Sequence, residues 1–175
     1  QFWINTADAD VYSFLRYFTF LSIDEITSIE AADAEAQGRP QAQGVLAKEV
    51  TKLVHGDEGL VAAERITEAL FSGDTSKLSE SDYQQLSLDG LPSSDLDVGG
   101  LLDKPLTMLL SEAGMAPSGK QVKDALQRNA VLINGEAKGM AENMNAAEVF
   151  AASNALFDRF FLVKLGKKKH HLFMR

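Results

Sequence analysis

The sequence predicts a mainly α N-terminal helical bundle followed by a small α+β domain. Three observations predict it. Apolar residues recur at helical spacing from the start of the chain to residue 72; a stretch rich in Ser, Asp and Gly follows; and the last third mixes helical patterns with short apolar runs and an Asn-Gly turn. The expected boundaries are 1–73 for the bundle, 74–100 for an acidic linker and 101–175 for the α+β domain.

The bundle opens with Val11, Phe14, Leu15 and Phe18 on one helical face, and Asp8 is the expected N-cap. Tyr12, Tyr17 and Phe20 make the other faces of this helix aromatic, which predicts burial on several sides. Ser22 and Glu25 have capping-box spacing and start a second helix. "QGRPQ" interrupts the pattern; Leu46, Val50, Leu53 and Val54 restore it, with Gly56 as the expected C-cap. Leu60, Ala63, Ile66 and Leu70 supply a further helix that ends at Gly73.

The linker contains only a short helical pattern, around residues 83–86. Beyond it, Asp103 is expected to cap a helix with Pro105 in its first turn, Leu106, Leu109, Leu110 and Ala113 inside, and Gly114 at its end. Ser118 and Gln121 again have capping-box spacing. Val122, Ala125 and Leu126 face inward from that helix, which turns Lys120, Lys123 and Arg128 to solvent. "AVLINGE" reads as a strand and tight turn, because Asn and Gly both tolerate positive φ. Phe161, Val163 and Leu165 alternate, Gly166 turns the chain, and residues 172–174 return as a partner strand. Two helices and a small antiparallel sheet are expected.

Composition excludes several chemistries. With no cysteine among 175 residues, disulfides, thiolate catalysis and cysteine-held zinc or iron–sulfur sites are ruled out. No apolar run approaches the ~20 residues that cross a bilayer, and the opening "QFWINTADAD" lacks the pattern of a signal peptide. A cytoplasmic protein with no membrane partner is expected. The aromatic and apolar start "FWI", without Met, suggests a piece of a longer polypeptide, with Phe2 and Trp3 packed on the missing part.

Charge is unevenly placed. The net −8 averages 5 basic against 12 acidic residues over 1–72, 1 against 6 over 73–100, and 11 against 7 over 101–175. From Arg159 onward there are six basic residues and no acidic one. A basic module joined to an acidic body points to a polyanion partner; a merely solvated basic tail is the plain alternative. A helix N-terminus offers free N–H groups, so Ser118, Lys120 and Lys123 together form a candidate phosphate site. Lys164, Lys167, Lys168 and Lys169 are further candidates. Phe157, Phe160, Phe161 and Phe173 are candidate base-stacking rings, although alternation assigns most of them to the core. His55 beside Asp57 and Glu58 marks a helix end rather than a metal or catalytic site. His170 and His171 point to opposite strand faces, against one chelating site. No catalytic and no metal-ligating residue is expected.

The stretch "PSGKQVKDALQRNAVLINGE" resembles the RNA-binding domain shared with small-subunit ribosomal protein S-four, over about 70 residues from Leu101 onward. "QFWINTADADVYSFLRYFTFLSIDEI" and "VLAKEVTKLVHGDEGLVAAERITEALFSG" are similar to the helical anticodon-binding domain of bacterial tyrosyl-tRNA synthetases, in which an acidic linker and an S-four-like domain follow. The resemblance implies binding of tyrosine tRNA, with RNA contacts at Ser118, Lys120, Lys123, Arg128, Lys164, Lys167, Lys168 and Lys169. Where the family often has Arg after the helix-opening Ser, this chain has Gly119, and Lys123 replaces a planar fork with a point charge. The family's HIGH-type and KMSKS-type motifs do not occur in these residues, so no cofactor is expected in this chain; ATP and Mg belong to the parent enzyme. The resemblance further implies a monomeric fragment of a parent that dimerises through its catalytic domain. Two other readings stand beside it: a stand-alone S-four-like RNA-binding or ribosome-associated protein, and an acidic helical protein-interaction module.

Overall fold

The computed structural model describes residues 2–88, 91–101, 104–140 and 145–175, and the chain divides into two units, 1–64 and 65–175. In the first unit, helices α1 (Asp8–Phe18) and α2 (Ile23–Glu35) and the start of α3 (Ala42–Ser72) bury Val11, Leu15, Ile26, Ala42, Leu46 and Val50. The Ser22–Glu25 capping box forms as expected: Ser22 Oγ accepts from Glu25 N at 3.2 Å, and the Glu25 carboxylate accepts from Ser22 N at 2.7 Å. Asp33 on α2 supplies the cap that the sequence hides, accepting from Gln41 N and Ala42 N at 2.8 and 3.1 Å at the start of α3.

Several local expectations shift. Ala7, not Asp8, is the N-cap of α1, and Asp8 instead accepts a 2.6 Å hydrogen bond from Gln43 Nε2. Tyr17 and Phe20 are 78% and 89% exposed rather than buried, because α1 packs through Val11 and Leu15 with Tyr12 and Phe14 partly buried beside them, and Phe20 lies beyond the helix end. Leu53 and Val54 are likewise exposed. Trp3 packs within its own unit, with its ring centroid 6.1 Å from Phe14 and 5.3 Å from Phe18, while Phe2 stays exposed. Gly56 does break the helical path, at φ 74°, but helix continues on both sides of it within α3.

The second unit is a five-stranded sheet between two helical layers. Strands β1 (Ser93–Asp95), β2 (Val131–Ile133), β3 (Glu136–Lys138), β4 (Phe160–Leu165) and β5 (Lys169–Met174) lie in the order β1-β5-β4-β2-β3. All pairs are antiparallel except β1 with β5, so the expected sheet is present with an added parallel edge strand. Cross-strand partners share a face. Leu165↔Lys169, Val163↔His171 and Phe161↔Phe173 therefore face one side, and Lys164↔His170 and Leu162↔Leu172 the other. The first face packs on α5 (Leu106–Glu112), α6 (Gly119–Gln127) and the short α7 (Ala146–Val149), which the sequence did not reveal. The second packs on the end of α3 and on α4 (Glu80–Leu88), through Ala69, Tyr83 and Leu86.

The stretch expected as a linker thus holds α4 and β1. Asp82 is nearly fully buried; Arg65 grips it at 2.7 and 3.0 Å, and Ser79 N and Oγ donate to it at 2.8 and 2.9 Å. Asp103, expected to cap α5, lies outside the described residues. Pro105 is the N-cap of α5 rather than part of its first turn. At the end of α6, Asn129 at φ 52° completes a left-handed cap in which Ala130 N donates to Ala125 O at 2.8 Å. The Asn-Gly turn forms as predicted, with Asn134 at φ 52° and Gly135 at φ 85°.

Candidate nucleic-acid interface

Helix α6 presents its polar face because Val122, Ala125 and Leu126 are drawn into the core. Lys120, Lys123 and Arg128 are exposed, as the spacing predicts. Arg128 bends back, its Nε donating to Asp124 O at 3.2 Å in the last turn of the helix. Ser118 sits at the N-cap with extended φ and ψ of −158° and 154°, but its side chain makes no cap hydrogen bond. The second capping box is therefore not formed: Gln121 N donates to Ser118 O at 3.1 Å instead, and the exposed hydroxyl stays available to a ligand.

The β4–β5 turn joins the loops at both ends of α6. Gly166 N donates to Ala130 O at 2.8 Å after the helix, and Lys169 Nζ donates to Met115 O at 3.0 Å before it. These two bonds bring exposed Lys167 and Lys168 to the α6 side of the unit. Sequence separation concealed this convergence, since Lys123 and Lys167 are 44 positions apart.

Lys164 does something else. It faces the opposite side of the sheet, where its Nζ donates to Leu70 O and Phe71 O at 2.9 and 3.0 Å, capping the end of α3. His170 Nε2 donates to the same Leu70 oxygen at 3.0 Å, and burial holds its imidazole below the ordinary pKa. His171, on the α5 and α6 face, is nearly fully buried, bonds Ser94 Oγ through Nε2 at 2.8 Å, and is also pushed down by burial. The two histidines thus point apart, as alternation predicts. Of the four candidate rings, Phe160, Phe161 and Phe173 are core, and Phe157 is 46% exposed.

Among the described residues no three His, Asp or Glu side chains converge to hold a metal ion, and no helix is long and apolar enough to cross a membrane.

Residues 82–173 match the family described as the tyrosine–tRNA ligase SYY-like C-terminal domain, and residues 1–72 match the class I tRNA synthetases for tryptophan and tyrosine. Over 174 residues the chain is 47% identical to a tyrosine–tRNA ligase of Aliivibrio fischeri, covering 99% of this chain and 39% of that protein. A tyrosine–tRNA ligase 1 of Vibrio parahaemolyticus is 48% identical over 175 residues, 100% of this chain and 39% of its own length. A Salmonella newport tyrosine–tRNA ligase is 48% identical over 172 residues, 98% of this chain and 38% of its own. The chain spans well under half the length of these relatives. The sheet flanked by α5 and α6, the two matches that together cover most of the sequence and the near-end-to-end similarity lead to one assignment: this chain belongs to the tyrosine–tRNA ligase SYY-like C-terminal domain family.

Proposed function

We propose that this chain is a tRNA-binding part of a tyrosine–tRNA ligase, and that tyrosine tRNA is its partner. The observation that carries this reading is the gathering of Lys120 and Lys123 on α6 with Lys167 and Lys168 on the adjoining β4–β5 turn, all exposed in an otherwise acidic chain. Exposed ammonium groups release counterions from RNA phosphates, which gives affinity without base reading. Ser118, Arg128 and the remaining N–H groups of Lys169 extend the same surface; Lys164 is assigned to the α3 end rather than to RNA.

The first unit, 1–64, is assigned to the anticodon end of the tRNA, and the second, 65–175, to the S-four-like contact that supplies most of the affinity, with α4 and β1 of the stretch expected as a linker built into its core. The parent enzyme joins tyrosine to its tRNA using ATP and Mg in a class I catalytic domain. This chain, which contains neither a HIGH-type nor a KMSKS-type motif, binds without catalysing, as a cytoplasmic monomer, while the parent dimerises through its catalytic domain.

The test is binding of the chain to labelled tyrosine tRNA and to a tRNA of different anticodon and arm shape across a salt series. Preference for tyrosine tRNA, with log affinity falling by about 0.7 to 0.9 per neutralised phosphate for each decade of salt, is the expected result. Absence of binding to either RNA at low salt overturns the reading.

A further inference from the structure

Phe157 and Asp158 occupy the two central positions of a tight turn in which Arg159 N donates to Leu156 O at 3.1 Å. Both are left-handed, with φ of 51° and 58°. Asn and Gly fill such positions in the 134–135 turn of the same sheet, and a bulky ring there is disfavoured. Burial does not compensate for the cost, since Phe157 remains 46% exposed. Strain retained at an exposed residue is a pointer to use rather than to packing.

The ring stands on the rim of a cleft of about 650 Å³ within the second unit, lined by residues 72–76, the Asn134–Gly135 turn and Tyr83. That volume lies in the range of about 300–1000 Å³ usual for small-ligand sites. At its floor Tyr83 is fully buried, stacked on Phe160 at 5.4 Å and 19°, with Phe157 5.9 Å away. The Tyr83 hydroxyl is fully buried beside Thr75, with no partner at hydrogen-bonding geometry among the described residues. Among the described lining residues the charged groups are Asp74 and Glu136, the latter paired with Lys138 Nζ at 2.8 Å just outside the rim, so the lining itself offers phosphate no cation and suits a neutral planar group. The cleft opens on the α4 side of the sheet, away from α6.

We infer that this cleft receives one unpaired nucleobase of a bound RNA, stacked on Phe157 with its polar edge toward Tyr83 and Thr75. The inference rests on the tRNA-binding reading and deepens it: the lysines hold phosphates without regard to sequence, and the cleft takes a base that stands out of its helix.

Two measurements on the whole chain test it. Tyrosine tRNA affinity is compared for the unmodified chain, Phe157→Ala and Phe157→Trp. Stacking predicts a loss of about tenfold for Phe157→Ala, recovery in Phe157→Trp and one salt slope for all three. Equal affinities overturn the inference while leaving the tRNA reading intact. Separately, the amide resonances of Thr75 and Gly135 are followed by NMR as uncharged adenosine, guanosine, cytidine or uridine is added. Shifts from at least one nucleoside, absent in Phe157→Ala, are expected even if whole tRNA fails to bind. No shift from any nucleoside, or an equal shift from N-acetylphenylalanine amide, overturns the base site; the latter result marks a pocket for a protein side chain.

Discussion

The Lys164 ammonium on β4 donates to the carbonyl oxygen of Leu70, 2.9 Å away at the end of α3. The bond, shared with Phe71 O at 3.0 Å, satisfies carbonyls that a helix end leaves without partners and places a cation at the negative end of the helix dipole. Lys164→Gln is expected to cost about 1.5 kcal/mol in urea unfolding, the worth of a charge-assisted hydrogen bond. Its tRNA salt slope is expected to match that of the unmodified chain. A lower slope would return Lys164 to the RNA surface.

The Arg65–Asp82 pair ties α3 to α4. Burial raises the Asp82 carboxyl pKa, but the Arg65 hydrogen bonds and those from Ser79 outweigh it and hold the group below the usual carboxylate range. A folded value below the unfolded ~3.9 means stability that is present above that pH and is lost as pH falls toward the folded value. Asp82→Asn is expected to lose about 2 kcal/mol at pH 7. Urea unfolding at pH 7 and near pH 3 should show the gap between mutant and unmodified chain closing at the lower pH.

His170 and His171 give a second, higher window. Burial lowers both, so below about pH 6.5 the unfolded chain takes up protons that the folded one refuses. Stability contributed by neutral imidazole is complete above that pH and declines as pH drops through it. His171→Phe, which keeps a ring beside Phe173 at the 4.4 Å centroid contact, is expected to flatten the slope between pH 7 and pH 5. An unchanged slope would assign it to other groups.

Gly135 is held at φ 85°, and a Cβ there would lie 3.1 Å from Gly73 O. Gly135→Ala is expected to destabilise the second unit by about 1–2 kcal/mol from its left-handed backbone, before any clash is counted. Gly38→Ala, where a Cβ meets nothing within 4 Å, serves as the control, with no comparable loss in thermal unfolding.

Much of the fold was legible from short-range pattern. The Ser22–Glu25 box, the inward stripe of α6, the Asn134–Gly135 turn and the alternation of β4 are decided by residues within a few positions of one another, where backbone geometry leaves few choices. The exposure of Lys120 and Lys123 followed from the same stripe. α4 and β1 were harder to see, because Asp82 is a polar residue in a core and becomes tolerable only when Arg65, 17 residues away, meets it.

By itself the sequence determined the helical first part, the α+β second part and the basic bias of the last third, because periodicity, turn chemistry and composition are local properties that survive without coordinates; the family came from the resemblance of whole stretches to known proteins. Tertiary structure alone decided how the charges are used. Register places Lys164 on the face toward α3 and Lys169 on the face toward α6, and the β4–β5 turn bonds the loops that precede and follow α6. It also left Phe157 in solvent while Phe160 and Phe161 went inside. Which lysine stays exposed and which caps a helix depends on long-range pairing, and the residue types of neighbours in the chain do not encode it.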